Sequence, residues 1–192
     1  MDYRGQRNTT AYSVLILIAA SALMLIATLA RGDLIYRLGL QPATWRETPW
    51  TIVTNLFIHG GIWHIASNML TLYFFGTFLS ALVGEARFLS IYFTGGIAGN
   101  LVFILFAPAN SIAIGASGAV FAVGGALVMM KPKLRVTVFP IPAPIPLWVA
   151  LLGGFVIVSI LPGIAWQAHL GGVVIGLIMG YLFRKQQRLV LF

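Results

Sequence analysis

Few side chains in this apolar chain could do chemistry, and four stand out by type and spacing. They are His64 and Asn68 in "HIASN" (64–68), Ser117 in "GASG" (115–118) and His169 in "AHLGG" (168–172). A serine hydroxyl is a weak nucleophile until a neighbouring base takes its proton, and an imidazole nitrogen about 3 Å away is the usual base. The chemistry of such a pair is acyl transfer. His64 and Asn68 are four residues apart, so on a helix they stack on one face and could both donate to a single point, such as a developing oxyanion. The same two residues could instead tie helices together or cap a first turn, as polar groups in membrane bundles do.

Other chemistries lack their residues. The four acids, Asp2, Asp33, Glu47 and Glu85, fall in loops or at helix ends, so none is placed to orient His169; a Ser–His dyad is expected in place of a triad. There is no HExxH motif, and His59 and His64 are five apart, a poor spacing for shared metal ligation, so neither metal nor cofactor is expected. With no cysteine there is no thiolate nucleophile, and with no embedded aspartate pair there is no aspartyl chemistry.

The elements that must position these groups are membrane helices. Of 192 residues, 59% are hydrophobic and 8% charged, and the mean hydropathy is +0.95; soluble domains carry roughly 25% charged residues. Apolar runs predict helices at about 12–30, 64–83, 88–106, 115–130, 146–161 and 167–183, broken by "FAPANS" (106–111) and "PIPAPIP" (140–146). The expected fold is an all-α membrane protein: one domain over 1–192, six spans, and a long interfacial connection (31–63) between helices one and two with its tryptophans at headgroup depth. Net charge is +8, but the basic residues sit between apolar runs and not along one face, so a lipid surface is expected and nucleic acid is not.

Orientation follows from lysine and arginine. With both termini cytoplasmic, the inner segments hold nine basic residues (Arg4, Arg7, Arg87, Lys131, Lys133, Arg135, Arg184, Lys185 and Arg188) against three outside (Arg31, Arg37 and Arg46). Helices two, four and six then run from outside to inside, and the polar residues cluster near their outer ends. His169 lies on a face continued by Gly172, Gly176 and Gly180, a small-residue ladder that admits a close neighbour. The helix carrying Ser117 is the expected neighbour. Gly115 and Gly118 are expected to leave space for a peptide backbone beside Ser117, with Gly124 and Gly125 serving helix packing.

In this order and on these helices the residues resemble the rhomboid intramembrane serine proteases. The resemblance runs from Trp45–Arg46 ("WR") through His59, "HIASN" as HxxxN, "GASG" as GxSG and "AHLGG" as AHxxG, about 130 residues in all. It implies Ser117 as nucleophile, His169 as general base and acid, and His64, Asn68 and the Ser117 backbone amide as an oxyanion hole. It further implies transmembrane proteins as substrates, cut near the outer leaflet of a plasma or inner membrane after passing between helices two and five. Phe121, one turn past Ser117, is expected to pack on the imidazole. Ser80 stands where many relatives have a glutamate that tethers the WR loop, so the resemblance does not extend to a tether on Arg46. The alternative is a catalytically silent rhomboid-like binder of membrane proteins, which would usually lack the serine or the histidine. A transporter or channel would need charged groups or broken helices at mid-membrane.

Overall fold

A computed structural model of the chain describes residues 11–138 and 140–187; Asp2, Arg4, Arg7 and Arg188 of the charge count lie outside them. The long helices are α1 (Tyr12–Ala30), α4 (Ile62–Thr71) running through a π-helical turn (Leu72–Gly76) into α5 (Thr77–Val83), α6 (Glu85–Phe106), α7 (Ser117–Met130), α8 (Leu147–Ser159) and α9 (Trp166–Phe183). Short helices α2 (Leu34–Leu38) and α3 (Thr51–Thr54) lie in the first connection, and strands β1 (Arg135–Val136) and β2 (Ile145–Pro146) pair antiparallel between α7 and α8. Four stretches, Tyr12–Ala30, Ile62–Val83, Glu85–Phe106 and Trp166–Gln186, are long and apolar enough to cross a membrane. α7 and α8 are apolar but shorter.

Helix ends depart from the apolar runs where the backbone forbids a helix. Gly84, with φ 86°, separates α5 from α6, so the third run begins at Glu85 and not at 88. Gly115, with φ 111°, lies in a region closed to L side chains, so α7 starts at Ser117 and not at 115. α8 spans Leu147–Ser159 and not 146–161, because Pro162 disfavours helical backbone at the residue before it.

α7 is the centre of the bundle, with ten of its fourteen residues buried, so its surroundings are protein and not lipid. The α9 ladder lies along it in parallel: a Cβ at Gly172 would collide with the Gly118 carbonyl oxygen, one at Gly176 with that of Ala122, and one at Gly180 would meet the Ala126 backbone at 2.7 Å. α6 runs the other way against both, with Gly95 on Ala122 and Gly99 on the Ala168 carbonyl. Small residues let three backbones approach, and the dispersion contacts so gained hold helices together where no hydrophobic force does.

The first connection wraps onto the bundle. Leu40 and Ala113 exchange backbone hydrogen bonds (3.0 and 2.8 Å), Ala43 N–H donates to Ala109 O (3.0 Å), and Leu40, Leu56, Ile58 and His59 are buried. Trp50 is 52% exposed, whereas Trp45 is half-buried against the cluster of Leu40, Phe103, Ala113 and Ala168.

Candidate active site

The turn into α7 and the start of α9 bring the proposed chemistry together. Gly115 turns the chain, Ser117 opens α7, and the Gly118–Gly172 contact sets the two helix starts side by side. Ser117 Oγ then lies 2.7 Å from His169 Nε2. With Oγ–H donating to Nε2, the imidazole carries its proton on Nδ1, which is buried and has no partner among the described residues. No carboxylate orients the ring among the described residues. Phe121 does part of that work: its ring centre is 4.7 Å from that of His169, tilted by 31°.

His64 stands on the other side of Gly115. A Cβ at Gly115 would fall 2.6 Å from His64 Nε2, so the glycine is required by that imidazole as well as by its own φ. Gly60 N–H donates to His64 Nδ1 (3.3 Å), which leaves the ring proton on Nε2, the nitrogen facing Gly115. Asn68 is buried, and its Nδ2 donates to His64 O (2.9 Å), so one of its two N–H groups is spent within α4. Val120 N–H is the first in α7 to reach a helical carbonyl, Ala116 O at 2.9 Å; the amides of Ser117 and Gly118 precede it and have no carbonyl four residues back in the helix.

His59 packs edge-on to His64, ring centres 5.1 Å apart. It is 1% exposed, and burial, reinforced by the neighbouring His64 charge and opposed by the Phe57 carbonyl, pushes its pKa down to about 4. His59 is therefore neutral at physiological pH, with Nδ1–H donating to Phe57 O (3.2 Å).

A cavity of about 740 Å³ opens beside the Ser117–His169 pair. One wall is α4, with Trp63, Ser67 and Thr71; the other is α8, with Ala150, Gly154 and Val158. The Ser67 and Thr71 hydroxyls donate into their own helix, to His64 O (3.0 Å) and Ser67 O (2.8 Å), so they offer lone pairs to the cavity.

The other residues singled out in the sequence lie around this centre. A Cβ at Gly118 would meet Ala168 O at 3.1 Å, so its smallness serves the approach of α9. Gly124 and Gly125 are packing positions, as expected: an added Cβ would lie 2.7 Å from Leu151 of α8 at the first and 2.8 Å from the Val173 carbonyl oxygen of α9 at the second. Arg46 is exposed, 5.4 Å from the Trp45 ring centre, and makes no ion pair among the described residues, while Ser80 is buried in α5. Two buried residues escaped notice altogether. Asn55 and Asn100 bond each other, and an asparagine in the middle of the apolar run 88–106 was the available signal.

The Rhomboid domain family model matches residues 46–186. The chain belongs to the rhomboid family. It is similar to mitochondrial Rhomboid protein 1 of Saccharomyces cerevisiae, 33% identical over 145 residues, covering 70% of this chain and 42% of that protein. In Bacillus subtilis it is similar to the putative rhomboid protease YdcA (33% over 95 residues, 50% of this chain and 46% of that one). It is also similar there to the rhomboid protease GluP (40% over 86 residues, 45% and 17%). The chain thus spans less than half the length of each of these relatives. As a rhomboid with four long apolar helices, it is an integral membrane protein.

Proposed function

We propose that this rhomboid is an intramembrane serine endopeptidase that cuts transmembrane segments through an acyl-enzyme. The observation that carries the reading is the 2.7 Å Ser117–His169 hydrogen bond at the edge of a cavity between α4 and α8. Ser117 Oγ attacks the scissile carbonyl as its proton passes to His169 Nε2. The oxyanion is held by the His64 Nε2–H, the free N–H of Asn68 and the Ser117 backbone amide. His169 returns the proton to the leaving amine, and a water, deprotonated by the same nitrogen, releases the acid and restores the serine. Gly115 supports the site by admitting the His64 ring, Gly172 by admitting α7, and Phe121 by holding the imidazole.

The proposed topology is a single rhomboid domain with six spans, the four long helices plus α7 and α8, and both termini cytoplasmic by the nine-to-three charge bias. At 1.5 Å per residue, α7 is about 21 Å long, well short of a hydrocarbon core of about 30 Å. Its buried surroundings tolerate the shortfall, and the effect is to sink Ser117 below the membrane surface. Substrates would be transmembrane proteins of a plasma or inner membrane, passing between α4 and α8 to reach the serine. Metal and cofactor play no part in this reading.

The protein reconstituted in liposomes with a model transmembrane substrate tests it. Cleavage and fluorophosphonate labelling are expected in the wild type. The Ser117→Ala variant should lose both, by on the order of 10³-fold or more in rate. Equal cleavage by that variant overturns the proposal.

A further inference from the structure

Asn55 and Asn100 are 1% and 2% exposed, in a part of the bundle where an unpaired amide would cost several kcal/mol. They satisfy each other. Asn55 Nδ2 donates to Asn100 Oδ1 (3.0 Å), Asn100 Nδ2 donates back to Asn55 Oδ1 (2.8 Å), and the second N–H of Asn100 reaches Ile52 O (2.7 Å). Asn100 sits on α6; Asn55 and Ile52 belong to the first connection. The pair therefore rivets that connection to the most tightly packed helices of the fold.

What the riveted segment does next is particular. The Asn55 carbonyl accepts the Gly115 N–H (2.9 Å), two residues before Ser117. Four and five residues on from Asn55, His59 packs against the His64 ring and Gly60 N–H holds His64 Nδ1. Leu56, between them, fills the space left by Gly96 of α6. One segment thus reaches both sides of the place where a substrate carbonyl would sit, the serine turn through Asn55 O and the imidazole of His64 through residues 59 and 60. The first contact reaches the turn before α7, and the second ends on α4 itself, one wall of the cavity.

We infer that Asn55 and Asn100 are positioning residues for the reaction, holding the Gly115 turn and the His64 ring in register across the site. The inference rests on the protease reading above. A packing pair would be served as well by two apolar side chains of similar volume, which are less costly to bury. Paired amides fix one relative placement of connection and α6, because the ring of hydrogen bonds breaks if either slides by about 1 Å. A displacement of that size at an active site costs up to about 100-fold in rate.

The test uses full-length protein in liposomes, with active sites counted by fluorophosphonate burst so that only folded, labelled enzyme enters the rate. Asn100→Ala, which removes all three side-chain bonds, is expected to lower kcat per site about 30-fold with KM within about twofold. Asn55→Ala, which keeps the Asn100–Ile52 bond, should lower it several-fold. The double variant should fall no further than Asn100→Ala, since both act as one unit. If Asn100→Ala does not fold, Asn55→Ala alone decides. Per-site kcat equal to wild type, with only thermal stability reduced, overturns the inference and leaves the protease reading intact. A wild type that neither cleaves nor labels overturns both.

Discussion

The two sides of Ser117 are built differently. Toward α6 and α9, backbone meets backbone: Gly95, Gly99, Gly172 and Gly176 each face another helix's backbone or Cβ so closely that an added methyl has no room. Toward α8, the chain is loose. Gly153 and Gly154 face open space, Leu152, Val156, Ile157 and Ile160 are exposed, and only Leu147 and Leu151 of that helix are buried. The Ser117–His169 pair belongs to the rigid side, and the cavity, with His64 and Asn68 of α4 on its wall, to the loose one. A hydrogen bond between residues 52 apart in sequence persists only if the helices carrying it cannot shift, whereas a transmembrane segment needs a wall that can yield.

Crowding the rigid side should have the largest effect. Gly172→Val places a Cβ and two methyls against the Gly118 carbonyl, which has little room to yield because ten of the fourteen residues of its helix are buried. We expect a loss of about 3 kcal/mol in unfolding from detergent and no fluorophosphonate labelling of Ser117. Near-normal labelling would mean that the α7–α9 contact is less exacting than its geometry.

The loose side should respond in access and not in chemistry. Gly154→Leu puts a side chain into the cavity with nothing for its Cβ to strike. Cleavage of a transmembrane substrate should fall about tenfold in kcat/KM, while labelling by a small fluorophosphonate and the melting temperature stay within error of wild type. A parallel fall in labelling would show that α8 shapes the dyad as well as the route to it.

The smallest effect expected is a pH dependence of stability. His59 has a folded pKa of about 4 against 6.5 when unfolded, so between those values the unfolded chain binds more protons. Stability from this group is complete above about 6.5, declines as pH falls toward 4, and levels off below. His59→Asn should flatten that part of the melting-temperature profile. An unchanged slope would assign the acid sensitivity to other groups.

Much of this was legible in the chain. Polar residues are costly in a membrane, so Ser117, His169, His64 and Asn68 stood out from their apolar surroundings, and glycines spaced by four announced a helix contact. Gly118 shows where such reading stops. Its place beside the serine suggested room for a substrate, but which way a helical residue faces depends on how the helix is rotated against its neighbours, and α9 occupies that direction. Asn100 shows the converse. Its polarity was visible, but its partner, 45 residues away in a connection without periodicity, was not.

What the sequence determined by itself was local and compositional: a membrane protein of apolar helices, a rhomboid order of motifs, and the residue types for acyl transfer without metal or thiol. The tertiary structure decided the rest. It set Ser117 against His169, gave Gly115 to the His64 ring and Gly118 to α9, joined Asn55 to Asn100, and opened the cavity on the α8 side. Periodicity specifies a face of one helix; the distance between two faces is settled only when several helices pack at once.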